Sequence, residues 1–213
     1  MVNFDPEELF YNSVVVDLET TGLYPATHQI IQLCAIKPTP RGPEVFNHYI
    51  YAEENPAYHI NRIDPDNLKD CPTEREVLQD FWAFVQDRQF VISYNANFEM
   101  QFLELRSEIN QLPYGNHAYI CLMETFSDFF STGWKKLPVA VRRCLGIRPS
   151  KWHNAKTDAY LALRLWSFFC FFLDRKVQLE PIWAPKLFRI KAIRLKKKRK
   201  PVLSEWEDEE PPF

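Results

Sequence analysis

Residues 14–23 read VVVDLETTGL, an apolar run that ends in two carboxylates, two threonines and Gly-Leu. Side chains alternate along a strand, so Asp17 and Glu19 leave this run on one face. Removing an ionised carboxylate from water is costly, and two on one face also repel each other. The pairing leaves two arrangements: a strand that ends in solvent with both carboxylates exposed, or one with a positive group held between them. Oxygen-rich pairs of this kind suit Mg2+ or Mn2+.

The runs that follow predict the frame around this strand. IIQLCAIKP (30–38) and VFNHYIYA (45–52) read as strands, and PRGP (40–43) as the hairpin turn between them. Three successive strands with short connections predict an antiparallel meander. The Asn-, Pro- and Asp-rich stretch 53–74 predicts an excursion with short helical pieces. Thr73 and Glu76 then form a capping-box pattern ahead of Val77, Leu78, Phe81, Trp82, Phe84 and Val85 at helical spacing, which predicts a helix to about Arg88. FVISYN (90–95) reads as a strand, FEMQFLELRSEI (98–109) as a helix, and AYICLMETF (118–126) as a strand running into a helix. LPVAVRRCLGI (137–147) predicts a helix closed by Gly146, and a long last helix runs from near Asn154 to about Asp174. A meander followed by alternating strand and helix predicts an α/β fold: a mixed sheet, antiparallel and parallel, flanked by helices.

With 213 residues, 46% of them hydrophobic, the chain has material for one domain over 1–175. A basic then acidic tail, expected to be flexible, fills 176–213. The formal net charge of -2 neither selects nor excludes a nucleic-acid partner. Five widely spaced cysteines without a CxxC argue against a disulfide framework and against a zinc site, and fit a reducing, cytoplasmic setting. The opening MVNFDPEELF does not read as a signal peptide. YLALRLWSFFCFFL (160–173) is too short to span a bilayer and contains Arg164, so it reads as a buried helix, and no membrane partner is expected.

Two further constellations bear on chemistry. In WHNAKTDAYLALRLW (152–166), Asn154 is a good N-cap, which puts Asp158 in the first turn of the last helix and His153 in the loop before it. A lone His there is either incidental or a loop residue facing the same cleft as the carboxylates. In SYNANFEMQFL (93–103), a strand ends in polar residues and a helix begins with Glu99 in its first turn.

Taken in order, DLETTGL, the NANFEMQFL segment and HNAKTDA resemble the three motifs of the DEDDh, DnaQ-like family of 3'-5' exonucleases, over roughly residues 10–174. That family includes polymerase proofreading subunits, ribonuclease T and oligoribonuclease, and the resemblance implies a ribonuclease-H-like fold. It implies that Asp17, Glu19 and Asp158 are metal carboxylates, with Glu99 at the second-motif position, where the family has Asp, and His153 as general base. It implies two Mg2+ or Mn2+ ions per site and release of nucleoside 5'-monophosphates from 3' ends of single-stranded DNA or RNA, with DNA favoured. The backbone near Thr20 and Thr21 would contact the terminal 3'-OH and Leu23 would wedge against the last bases, while Tyr94, Asn95 and Phe98 would line the opposite wall. The alternative is that Phe98 and Leu23 are core residues, and Phe98 reads equally as one. Two departures stand out: Glu99 is one methylene longer than Asp, and Tyr94 stands where a His is common. An RNA-trimming enzyme, and a catalytically weakened scaffold that binds nucleic acid, are the alternatives.

The tail carries its own patterns. The run Lys196 to Lys200 reads as a phosphate-tracking arm, a solvated tail or an address signal. The terminal WEDEEPPF resembles the tip of bacterial single-stranded DNA-binding proteins, which predicts a protein partner that reads an acidic Pro-Phe end, or folding back onto the basic run.

Overall fold

In the computed structural model, which describes residues 2–149, 153–171, 177–184 and 187–191, the apolar runs of the first fifty residues form the expected meander. A short strand β1 (Val2–Phe4) and helix α1 (Pro6–Tyr11) come first, and β2 (Ser13–Thr20), β3 (Ile30–Lys37) and β4 (Glu44–Tyr49) make the meander. The excursion holds α2 (Tyr58–Asn61) and a 3-10 turn at Pro65–Leu68. Next come α3 (Glu74–Val85), β5 (Phe90–Ser93), α4 (Ala96–Ile109) and β6 (Ala118–Cys121). They are followed by α5 (Leu122–Phe130), α6 (Leu137–Leu145), α7 (Ala155–Phe171), β7 (Val177–Ala184) and β8 (Leu187–Lys191).

Pairing gives the mixed sheet. β2 runs antiparallel to β3 and parallel to β5, β3 antiparallel to β4, and β5 parallel to β6. Beyond β6 the sheet continues through β8, β7 and β1 to eight strands. β7 and β8 fall inside the stretch that the sequence assigns to the tail; VQLEPIWA and LFRIK carry β-favouring residues, a signal masked by the Lys and Arg that follow. The basic run Lys196 to Lys200 and the terminal WEDEEPPF lie outside the described residues, as does the expected end of the last helix at Asp174. The capping box of α3 forms as predicted, with Thr73 N–H donating to Glu76 at 2.8 Å. α1 was not expected, because six residues are too few to show a period; Asp5 caps it and Pro6 opens it. All five cysteines are free, and among the described residues no helix is long and apolar enough to cross a membrane.

Alternation along β2 divides the core. Val14, Val16 and Leu18 pack with Leu78 and Phe81 of α3 and Met100, Phe102 and Leu103 of α4. Val15 points the other way, into a cluster with Ala162, Leu165, Trp166 and Phe169 of α7 and Val141 of α6. Helix α7 therefore lies along β2 and β3, antiparallel to β2. At its C-terminal half Trp166 Nε1 donates to Ser13 Oγ at 2.9 Å. At its start Ala155 and Ala159 pack on Cys34 and Ile36 of β3. Ala155, Ala159 and Ala162 recur at helical spacing and are fully buried, so the helix can approach the sheet closely. Replacing Ala159 by Leu inserts three heavy atoms where none fit and is expected to cost about 1–3 kcal/mol. A urea midpoint unchanged from the parent chain would contradict that packing.

Candidate active site

Asp17 and Glu19 continue the face of β2 that begins with Ser13 and Val15, and so point toward α7. The ladder with β3 shifts register between Glu19 and Thr20, which ends regular pairing just past the second carboxylate. Asp158 projects from the first turn of α7. One oxygen from each of Asp17, Glu19 and Asp158 lies within 4.8 Å of the other two. Glu99 enters from the first turn of α4, after β5, the parallel neighbour of β2. It is not part of that compact trio, but its charge is the largest of the neighbouring charges acting on Asp17. All four carboxylates are between 6% and 9% exposed.

Their electrostatics follow from crowding in a dry place. Burial, then Glu99, Asp158 and Glu19, hold the Asp17 carboxyl well above the usual range. Glu19 is pushed up to about 8 by burial and by Asp158. Glu99 is pushed up to about 8 by burial, against the pull of the N–H groups of Asn95 and of Glu99 itself. Asp158 is raised by burial, while the His153 N–H, the His153 ring and the Asn154 N–H favour its charged form. Glu99 Oε2 and Asp158 Oδ1 are buried and accept no hydrogen bond. Converging carboxylate oxygens that lack donors form the ligand set that a hard divalent cation takes, so the residues fit Mg2+ or Mn2+.

The loop before α7 carries His153 as expected. It adopts a left-handed backbone, φ 63°, which turns its N–H onto Asp158 Oδ2 at 2.9 Å and leaves the residue exposed. Asn154 caps the helix, its Oδ1 accepting from Thr157 N at 3.2 Å. Gln32, which the sequence reading passed over, fixes this junction from β3: its Oε1 accepts from Ala155 N and Asn154 Nδ2, both at 3.2 Å. Gln32 is the cross-strand partner of Glu19, and a Gln inside the apolar run IIQLCAI was the available signal.

The remaining predicted residues divide into two groups. Thr20 Oγ1 donates to Gly22 O at 2.6 Å, and Thr21 exchanges bonds with Gln29, N to O at 3.0 Å and Oγ1 from N at 3.1 Å. A Cβ on Gly22 would overlap the His28 ring, so only glycine fits this turn. Leu23 stands 69% exposed and is not a core residue. Asn95 is half-buried and its carbonyl accepts the Phe98 N–H at 2.8 Å. Phe98 is half-buried against Phe102, with ring centroids 4.9 Å apart. Tyr94, expected on the cleft wall, is instead buried in the core beside α7, and its hydroxyl donates to the carbonyl of Lys135. A second overlooked group holds the turn at 21–29: Glu74 accepts Ile30 N–H at 2.9 Å and pairs with Arg106 at 2.6 Å, and Arg106 also donates to Pro25 O at 3.4 Å.

The exonuclease family model, RNase_T, matches residues 14–166. Over 164 residues the chain is 28% identical to the DNA polymerase III PolC-type of Thermotoga maritima, covering 73% of this chain and 12% of that protein. It is 34% identical over 96 residues to the DNA polymerase III subunit epsilon of Rickettsia prowazekii, 42% of each chain. The chain thus spans less than half the length of these curated relatives. Among solved structures, E. coli exonuclease I in complex with a dT13 oligonucleotide is similar with a TM-score of 0.61 at 17% identity, covering 75% of this chain and 41% of that one. The nuclease domain of 3'hExo, a DEDDh family member bound to rAMP, gives 0.59 at 18% identity, with 76% and 94% covered. These two likenesses show the shared fold.

Without a counter-ion the buried carboxylates make the folded state a tighter proton binder than the unfolded one. For Glu19 and Glu99 the favourable contribution is full below their ordinary value of 4.5 and is lost as pH rises through about 8. Metal-free protein is therefore expected to lose thermal stability between pH 5 and pH 8.5, and Mg2+ or Mn2+ to raise Tm more at pH 8 than at pH 5. A Tm that climbs with pH in chelator would contradict this.

Proposed function

We propose, given that this chain belongs to the exonuclease family, that it hydrolyses phosphodiester bonds successively from the 3' end of single-stranded nucleic acid, DNA in preference to RNA. The products are nucleoside 5'-monophosphates. The observation that carries this reading is the convergence of Asp17, Glu19 and Asp158 from β2 and α7 at one buried point. The polymerase relatives and the dT13 complex favour DNA, and the rAMP complex keeps the ribose alternative in view.

Asp17, Glu19 and Asp158 would hold one divalent ion and share with Glu99 the holding of a second; bound there, the ions supply Lewis-acid activation of water and charge neutralisation at the scissile phosphate. His153, exposed beside Asp158, accepts the proton of the attacking water. The Thr20–Gly22 turn offers its backbone to the terminal 3'-OH, and exposed Leu23 abuts the last base. Asn95 and the open part of Phe98 line the facing side. Tyr94 acts through structure, holding the Lys135 segment. Glu99 stands in the first turn of α4, buried and outside the compact trio, as the further carboxylate for a second ion. The acidic Pro-Phe tip supports, by its sequence alone, docking of this chain onto a protein that reads such ends.

A time course on 5'-labelled single-stranded DNA, duplex DNA and RNA tests this reading. The expected result is a ladder shortening from the 3' end, dependent on Mg2+ or Mn2+ and absent with Asp17→Ala. Glu99→Gln, which keeps shape and removes charge, is expected to lower kcat about a hundredfold or more. Binding without cleavage of any strand by the parent chain would replace the enzyme with a nucleic-acid-binding protein on a nuclease scaffold.

A further inference from the structure

STGWKKLP (131–138) joins α5 to α6, and the chain fixes this short segment at three points. Helix α5 ends with Ser131 in the left-handed region, φ 52°, and Thr132 N–H returns to Ser127 O at 3.0 Å. Helix α6 opens on Lys136 as N-cap with Pro138 in its first turn. Between these ends the Lys135 carbonyl accepts the Tyr94 hydroxyl. Val15, Ile92 and Tyr94 belong to one buried cluster on the α7 side of the sheet, the face that Asp17 continues along β2. Tyr94 therefore moors the segment at the end of β5, the parallel neighbour of β2.

Despite three anchors, Trp134 stands 69% exposed. Only Leu23 and Tyr24 match it among the large apolar side chains of the described residues. Those two sit on the 21–29 turn that follows β2, while the Trp134 segment is tied through the Lys135 carbonyl to Tyr94, which follows β5, the parallel neighbour of β2. The segment holds no acid, Lys136 is exposed, and a Cβ on Gly133 would meet nothing within 4 Å. An exposed indole on an anchored backbone, two residues from an exposed lysine, matches a single-stranded chain, whose bases present stacking faces and whose phosphates seek cations.

We infer that Trp134 is a stacking platform for a base of the substrate strand upstream of the scissile 3' end, with Lys136 meeting an adjacent phosphate. The inference rests on the nuclease reading above and adds a subsite to it. Because any base has a stacking face, this contact reads strand length and single-strandedness and is indifferent to sequence.

The test measures Kd by anisotropy, and KM and kcat by product release, on 5'-labelled oligothymidylate and oligouridylate of 2, 4, 8 and 12 nucleotides. Trp134→Ala is expected to raise Kd and KM about tenfold on the longer strands of either sugar, with the loss shrinking as the strand shortens to a dinucleotide. Trp134→Phe is expected to recover most of it, and Lys136→Ala to reduce the salt slope of binding by about one. A loss equal at all lengths, or no loss while the parent chain binds and cleaves the 12-mer, overturns the subsite and leaves the nuclease reading standing. A parent chain that neither binds nor cleaves any strand overturns both.

Discussion

Whether the acidic residues meet at all depends on how α7 lies against β2 and β3. Asp17 and Glu19 are set by the pleat, but Asp158 arrives from a helix at the far end of the sequence, and only a close, correctly phased approach brings its carboxylate to theirs. Three features fix that approach at different heights: Trp166 on Ser13, the Ala155, Ala159 and Ala162 stripe on the sheet, and Gln32 under the helix start. The first and last are directional bonds in buried surroundings, where an unmet partner costs about 1–3 kcal/mol. They set rotation and translation of the helix, while the small side chains set its distance. The left-handed His153 then closes the arrangement by giving its N–H to Asp158.

The same logic governs the turn after β2. Its backbone leaves the sheet just past Glu19, and besides its own turn bonds it is tied down by Glu74, buried and bonded both to Ile30 N–H and to Arg106, which also donates to Pro25 O. A buried ion pair of this kind adds little net stability compared with an apolar filling, yet losing one member is costly because the other stays uncompensated. Its effect here is positional: it links α3, α4 and the 21–29 turn. Asn61 does similar work on the other side, donating to Thr20 O at 3.2 Å.

The sequence revealed local pattern well and tertiary partnership poorly. Period-two alternation placed Asp17 and Glu19 on one face, the capping box placed α3, and Asn154 placed the start of α7 with His153 outside it, all from neighbours within a few residues. Glu74 and Arg106 were invisible because their partners lie tens of residues away and each alone looks like an ordinary polar residue, and Gln32 was marked only by its place inside an apolar run, with no sign of its partner 123 residues on. Tyr94 shows the limit most clearly. Next to Asn95 it reads as a cleft residue, but the parity of β5 turns its ring into the core, where the hydroxyl finds the Lys135 carbonyl. Strands β7 and β8 were missed for a different reason, since the basic stretch beyond them dominates the composition of that region.

Electrostatics and packing oppose each other at the end of β2, and the division of labour follows from that opposition. Burial raises the proton affinity of all four carboxylates, and at Asp17 and Glu19 the neighbouring carboxylates raise it further, so this region destabilises the metal-free fold as pH rises. Relaxing the strain by letting one carboxylate swing to water would also dissolve the ligand set. The chain prevents this by holding each carboxylate's backbone from behind, through the β2 and β3 ladder, the α4 first turn and the α7 N-terminus, and leaves the oxygens themselves short of donors. Glu99 Oε2 and Asp158 Oδ1 stay buried without donors, the condition under which the proposed cation would gain most from binding there.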